Sequence, residues 1–140
     1  MADENKVQER YMEYQLLVQQ YQQLQQNIQT LEKHVYDMNN LKENLDTISK
    51  TQINKETLIP LGSGIFLKGE LKDNKNVIMN VGSDVFVEKN VEEAIKTVDK
   101  QFNEVNNLLE QMQEEIVRTH LKINEMQEEF KELREQKLEE

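Results

Sequence analysis

The sequence predicts a mainly α fold: a long antiparallel coiled-coil helical hairpin that carries two β-hairpins at its centre. Apolar residues recur with a heptad period in both terminal segments, a pattern typical of coiled-coil helices. The heptads stop between residues 51 and 90, where short β-prone runs alternate with turn residues. We therefore expect an N-terminal helix over 1–50, a β-hairpin segment over 51–90 and a C-terminal helix over 91–140.

Both helices follow from their heptads. In the first, position a holds Val7, Tyr14, Tyr21, Ile28 and Val35, and position d holds Leu17, Leu24, Leu31, Met38 and Leu45. The pattern weakens at Lys42, which falls at a. In the last, position a holds Ile95, Phe102, Leu109, Ile116, Ile123 and Phe130, and position d holds Val91, Val98, Val105, Met112, Thr119, Met126 and Leu133. Asn90 and Glu93 form a capping-box pattern at its start.

The two helices are expected to pair with each other, because a of one helix faces d of the other in an antiparallel coiled coil. One register, in which the paired residue numbers add to 140, satisfies every such pair, although a shift by one heptad would also keep a against d. It places Leu45 opposite Ile95, Leu31 opposite Leu109, Tyr21 opposite Thr119 and Leu17 opposite Ile123.

The central segment predicts four strands, at 57–61, 65–71, 77–81 and 85–88, separated by turn residues. Two such hairpins are too small to be stable alone and have unpaired edges. We therefore expect them to assemble with other chains. The predicted oligomerisation residues are Leu58, Ile59, Leu61, Ile65, Phe66, Leu67, Val77, Ile78, Met79, Val81, Val85, Phe86 and Val87.

Composition excludes several classes of function. The net charge of -10 argues against a nucleic-acid partner, which requires a basic face. The uncharged stretch 14–31 holds eight Gln, so it predicts a solvated helix and no membrane partner. The absence of cysteine and of an apolar N-terminal stretch predicts a cytoplasmic protein.

The central motif reads LIPLGSGIFLKGEL at 58–71, then NVG at 80–82, VFVEK at 85–89 and EAI at 93–95. This series of apolar, glycine and charged positions resembles the alpha class of prefoldin subunits. The resemblance, of an archaeal type, implies a heterohexamer of two alpha and four beta subunits, in which the hairpins join an intersubunit β-barrel. It also implies contact with a second alpha subunit, binding of unfolded client proteins at the coiled-coil tips, and their delivery to a group II chaperonin without ATP.

The tips of the coiled coil are the predicted client-binding site. The candidate residues are Val7, Tyr11, Tyr14, Met126, Phe130, Leu133 and Leu138. In the alternative interpretation, the a and d residues among them simply complete the coiled coil. Tyr11 and Leu138 lie outside the clean heptads and are the better candidates for exposure. Nearby, Lys131, Arg134 and Lys137 alternate with glutamates, which predicts a solubilising helix face or a contact with basic chaperonin surface.

Neither a metal nor a cofactor nor a catalytic group is predicted. Gly62-Ser63-Gly64 lacks the GK[ST] ending of a phosphate loop. His34 and His120 have no second ligand at metal-binding spacing. No nucleophile, base and orienting group stand together, so we do not expect an enzyme. The competing interpretation is a structural coiled-coil scaffold or filament-forming protein that uses the same β-segment to assemble.

Overall fold

The structure, a computed structural model, describes residues 2–139. Met1 and Glu140, the outer limits of the two predicted helix segments, lie outside the described residues. The elements are α1 (Ala2–Lys50), β1 (Glu56–Gly62), β2 (Ile65–Glu70), β3 (Asn76–Asn80), β4 (Phe86–Asn90) and α2 (Val91–Glu139). Two long helices with two antiparallel β-hairpins between them confirm the predicted fold class.

Both helices are uninterrupted because neither contains glycine or proline and both are rich in strong helix formers such as Gln, Glu, Leu and Lys. α2 begins at a cap, where the Asn90 side-chain oxygen Oδ1 accepts a hydrogen bond from the backbone N–H of Glu93 at 2.7 Å. This is the N-cap half of the predicted capping box. No helix within residues 2–139 is long and apolar enough to span a membrane.

The chain divides into two compact units that cut across both helices. The helix-end unit consists of Met1–His34 and Val105–Glu140, and the hairpin unit consists of Val35–Glu104. The division of the chain into three segments stays a prediction, because these units group residues by packing and not by element.

In the helix-end unit the helices pair close to the predicted register. The ring centroids of Tyr21 and His120 are 5.7 Å apart, and His120 directly follows the predicted partner Thr119. Gln20 Nε2 also reaches Glu115 Oε1 at 3.4 Å. The buried seam of this unit contains Leu24, Leu109, Thr119, Ile123 and Met126. Burial of these side chains supplies the hydrophobic stabilisation of the pair.

In the hairpin unit the helical segments also bury their apolar residues. These are Met38, Leu45, Val91, Ala94 and Val98. Lys42, the charged exception in the seam, forms a salt bridge with Asp99, and its ammonium lies 4.8 Å from the centroid of the Phe102 ring. The ion pair and the cation–π contact compensate for placing a charge at an apolar heptad position.

Each hairpin forms its own two-stranded antiparallel sheet, β1 with β2 and β3 with β4. The two turns share one backbone conformation: φ is +124°, +49° and +81° over 62–64, and +121°, +49° and +59° over 82–84. Each turn begins with a glycine, which adopts such positive φ values without the steric cost that a side chain imposes. The Gly-Ser pair is thus the shared signal that closes both hairpins.

The connection between the hairpins ties together the ends of both helices. Asn74 Nδ2 donates a hydrogen bond to the carbonyl oxygen of Thr51 at 2.9 Å, and the N–H of Val91 donates to the carbonyl oxygen of Lys75 at 2.8 Å. The pKa of Asp73 is lowered from its ordinary value, first because its carboxylate accepts a hydrogen bond from the Lys75 N–H. The ionised Asp73 carboxylate therefore stabilises the turn between the two hairpins.

Candidate functional site

Three aromatic rings cluster where the helix-end unit joins the start of α1 to the end of α2. The Tyr14 and Phe130 rings meet edge to face with centroids 5.7 Å apart, and Tyr11 meets Phe130 in the same way at 6.1 Å. The Tyr14 hydroxyl accepts a hydrogen bond from Gln127 Nε2 at 3.1 Å. Edge-to-face packing is a favoured aromatic geometry, so the cluster fixes the relative position of the two helices here.

A cleft of about 650 Å³ opens beside this cluster. Its apolar lining consists of Val7, Tyr11, Tyr14, Phe130 and Leu133, and its polar lining consists of Gln127, Lys131, Arg134 and Lys137. A second cleft shares Val7, Tyr11 and Phe130 and adds Gln8 and Met12. The volume suits a few side chains of a bound polypeptide. We call the first of these the helix-end cleft.

The predicted tip residues differ in accessibility. Tyr11 is 52% exposed and Leu138 is 85% exposed, while Val7 and Leu133 are also exposed. Tyr14 and Phe130 are half-buried, with one edge in the cleft. Met126 is only 3% exposed because its d position points into the seam between the helices. We therefore remove Met126 from the residues expected to touch a client.

Besides Tyr11 and Leu138, five exposed apolar residues in the described part of the helix-end unit lie outside the a and d positions: Met12, Leu16, Leu108, Val117 and Leu121. Met12 and Leu16 are both largely exposed and lie one helical turn apart on α1. Neither occupies an a or d position, so the coiled-coil pattern gave them no role. The available signal was an apolar residue at a solvent-facing heptad position, where a purely structural helix carries polar side chains.

One ion pair joins the helices beside the aromatic cluster. Arg10 donates from Nε to Glu129 Oε2 at 3.1 Å and from Nη2 to Oε1 at 3.0 Å, and from Nη1 to Glu13 at 3.0 Å. The pKa of Glu129 is lowered from its ordinary value, chiefly by the hydrogen bond from Arg10. The geometry is bidentate, but the pair is solvent-exposed and its effect on stability is correspondingly small.

Charges that alternate along the end of α2 are separated in space. Lys131, Arg134 and Lys137 line the helix-end cleft, which has no carboxylate in its lining. A different groove of α2 is lined by Leu121 and Asn124 with the carboxylates of Glu125, Glu128, Glu129 and Glu132. The prediction of one mixed solubilising face is thus incomplete, because the helical period sorts the two signs to different sides.

The predicted oligomerisation residues form two unequal hairpins. In the first hairpin Leu58, Ile59, Leu61, Ile65, Phe66 and Leu67 are all exposed, so both faces of that sheet are open. In the second hairpin exposure alternates: Ile78 and Phe86 are exposed, whereas Val77, Met79 and Val87 are half-covered. Exposed apolar area of this density is typical of an interface.

Seven of the eight strand limits differ from the prediction, including the start of β3 one residue earlier at Asn76 and the end of β4 two residues later at Asn90. Val81 and Val85 were assigned to strands, but β3 ends at Asn80 and β4 begins at Phe86 because the positive-φ turn starts at Gly82. Their backbones remain paired, since the N–H of Val81 donates to the carbonyl oxygen of Val85 at 2.9 Å. β1 is longer than predicted at both ends, and β2 stops one residue early at Glu70. Both valine side chains stay exposed.

Metal chemistry has no support among the described residues. Within 2–139, no three His, Asp or Glu side chains are grouped so that they could hold a metal ion. His34 and His120 are both exposed on helix surfaces, and His120 packs against Tyr21.

Comparison with known proteins decides the family. The sequence matches the prefoldin subunit family over residues 17–136. The chain belongs to the prefoldin family. It is 32% identical over 128 residues to prefoldin subunit alpha of Pyrococcus horikoshii, covering 90% of this chain and 86% of that protein. It is 35% identical to prefoldin subunit alpha of Thermococcus onnurineus, covering 74% of this chain and 72% of that protein.

A solved structure supports the same fold. The cryo-EM structure of a filamentous PFD from Methanocaldococcus jannaschii superposes with a TM-score of 0.69, covering 80% of this chain and 93% of that chain at 19% identity. The predicted membership of the archaeal alpha class is confirmed by these relatives. The chain is therefore a prefoldin chaperone subunit of a kind that assembles with other prefoldin subunits.

Proposed function

We propose that this prefoldin subunit binds non-native proteins at the helix-end cleft and passes them to a group II chaperonin in the cytoplasm without using ATP. The observation that carries the proposal is the cleft itself. Its floor consists of aromatic rings that are half covered or exposed, at the end of a helix pair whose seam buries Leu109, Ile123 and Met126. Unfolded segments expose apolar side chains, and burial against such rings is favourable without a particular sequence.

We also propose that this subunit assembles with four beta subunits and a second alpha subunit. The exposed hairpins support this assembly. The first hairpin is exposed along both strands and has free strand edges, which favours pairing with neighbouring chains. An intersubunit β-barrel would pair the free strand edges and bury one face of the sheet. Several weak client contacts then act together in one assembly, which raises the overall affinity.

The test is suppression of aggregation by the assembled complex. A denatured protein is diluted into buffer with the complex, and light scattering is followed with and without ATP. The variant Val7→Ser, Tyr11→Ser, Leu133→Ser should lose most of the suppression, because three exposed apolar side chains that line the cleft are removed. Equal suppression with and without ATP is expected for the unaltered complex.

A matched control separates the site from general surface hydrophobicity. The control variant Val117→Ser, Tyr36→Ser, Leu121→Ser removes one valine, one tyrosine and one leucine that are also exposed but lie outside the cleft. It should suppress aggregation as well as the unaltered complex. The proposal is wrong if the two triple variants behave alike.

Transfer of clients is a separate test. A group II chaperonin is added to the complex with a labelled client, and movement of the label from the complex to the chaperonin is measured.

Formation of filaments by this chain is the second candidate. The filamentous PFD shares the fold, and open hairpins suit addition of identical subunits as well as different ones. The solution mass of the chain alone and mixed with a beta-type prefoldin subunit separates the two. A defined heterohexamer supports the chaperone proposal, whereas growth of the chain alone into long polymers supports the filament.

A further inference from the structure

The helix-end cleft has a charge opposite to that of the chain. The chain has a net charge of -10, yet the charged groups that line this cleft are all cations: Lys131, Arg134 and Lys137. Lys137 follows Phe130 by one heptad and so occupies an a position, where the coiled-coil pattern calls for an apolar residue. The pattern that builds the rest of the seam does not explain a lysine there.

Four nearby carboxylates of α2 have other positions or partners. Glu129 is held by Arg10 through two hydrogen bonds, and Glu125, Glu128 and Glu132 line a separate groove of α2. Among the side chains of residues 3–138, none of the salt bridges involves Lys131, Arg134 or Lys137. The three cations at the cleft are thus available to a ligand.

We propose that the helix-end cleft prefers client segments in which aromatic or aliphatic side chains alternate with Asp and Glu. This inference rests on the proposed client-binding function and adds the chemical class of the segment. Apolar side chains of the segment would pack on Tyr11, Tyr14 and Phe130. Its carboxylates would meet the cationic heads at the rim, while the Lys and Arg stems extend the apolar wall.

Charge complementarity also favours this occupant over a basic segment. A segment rich in Lys would meet three like charges at the cleft, and like charges at an interface are unfavourable. The acidic groove of α2 could attract it, but that groove offers Leu121 as its apolar residue and no aromatic ring. The aromatic floor and the basic rim occur together at the helix-end cleft, so the acidic segment gains from both.

The probes are three short peptides with identical Leu and Phe positions and an uncharged coumarin label. The intervening positions are all Glu, all Gln or all Lys. Binding to the assembled complex is measured by fluorescence anisotropy at low and high salt. We expect the Glu peptide to bind about fivefold more tightly than the Gln peptide, the scale expected of a few exposed ion pairs. High salt should reduce that preference.

Two charge-matched variants locate the effect. Lys131→Gln, Arg134→Gln, Lys137→Gln removes the cations of the cleft, and Lys33→Gln, Arg118→Gln, Lys122→Gln removes one Arg and two Lys that do not line it. Gln keeps a good helix propensity at every site, and circular dichroism with solution mass checks folding and assembly. The preference should disappear in the first variant and persist in the second.

The outcomes are distinguishable from failure of the proposed function. If the Gln peptide binds and the Glu peptide binds no better, the cleft accepts apolar segments and only the charge preference is wrong. If both triple variants lose the preference equally, the overall charge of the chain governs it and the inference is also overturned. If no peptide binds to the complex, the proposed client site itself is wrong.

Discussion

The paired helices bury apolar residues between them, whereas the β-hairpins expose theirs to solvent. Ala94 and Val98 on α2 are almost fully buried, whereas Ile78 at the centre of β3 is 74% exposed. The helices have a partner within the chain because each presents one apolar stripe. The hairpins present an apolar sheet face with free edges, which only another chain can cover.

This difference distinguishes the residues that stabilise the folded chain from the residues that contact other proteins. Residues in the helical seam govern folding of the chain itself, while exposed residues of the hairpins and of the helix-end cleft govern contacts with other proteins. Substitutions of similar chemistry should therefore have different consequences in the two regions, and the following predictions rank them by expected size.

The largest effect is expected on assembly. Ile78→Asp with Phe86→Asp places two charges on the open face of the second hairpin. A carboxylate buried in an interface without a partner is strongly unfavourable, so the heterohexamer should be lost. The free energy of unfolding of the isolated chain should change by no more than about 0.5 kcal/mol, because both sites are exposed. Solution mass by light scattering and thermal unfolding measure the two effects.

The control for assembly is Met12→Asp with Leu16→Asp, which adds the same charge at exposed apolar residues of α1. It should leave the assembled mass unchanged. Loss of assembly in both pairs of variants would mean that added charge and not the hairpin face is responsible, and the comparison between the regions would fail.

The next largest effect is expected on the free energy of unfolding, when a buried and an exposed apolar residue of α2 are each replaced by alanine. Met126→Ala should lower the free energy of unfolding by about 2–4 kcal/mol, because it leaves a cavity in the seam. Leu138→Ala should change it by less than about 0.5 kcal/mol, since Leu138 is mostly in solvent. Urea denaturation followed by circular dichroism measures both. Equal small changes would show that Met126 is not packed in the seam.

A smaller effect is expected at the start of α2. Asn90→Ala removes the acceptor for the Glu93 N–H and should cost about 1 kcal/mol of stability. Asn90→Ser keeps a capping oxygen and should recover most of the loss. If Ser is no better than Ala in urea denaturation, the side chain at 90 acts through the hairpin end and not as a cap.

The smallest effect is the pH dependence of the Arg10–Glu129 pair. The folded pKa of Glu129 lies below its ordinary value of 4.5, so its contribution is fully present above that value and is lost as pH falls through the folded pKa. The difference in melting temperature between the unaltered chain and Glu129→Gln should therefore shrink on acidification. Glu128→Gln, whose carboxylate makes no such pair within residues 3–138, is the control.

Much of the architecture follows from sequence periodicity alone. The heptads fix two helices and their pairing, and the Gly-Ser turns fix two hairpins, because these signals are local and repeat over many residues. The heptads limit the helix register to alignments that differ by whole heptads, and the contact between Tyr21 and His120 selects one of them. The hydrophobic pattern does not set the strand limits, because the positive-φ turn at Gly82 ends the strands before Val81 and after Val85 although the backbones of these two valines remain hydrogen-bonded.

Tertiary structure decided which residues remain accessible. The sequence alone assigned Met126 to the client site and gave Met12 and Leu16 no role, because a heptad position does not say whether the facing helix covers it. Likewise, Lys131, Arg134 and Lys137 alternate with glutamates in sequence, but the turn of the helix and the position of α1 place the three cations together on one cleft. Composition and period determine the elements, whereas the packing of one helix on the other determines the surface that a partner meets.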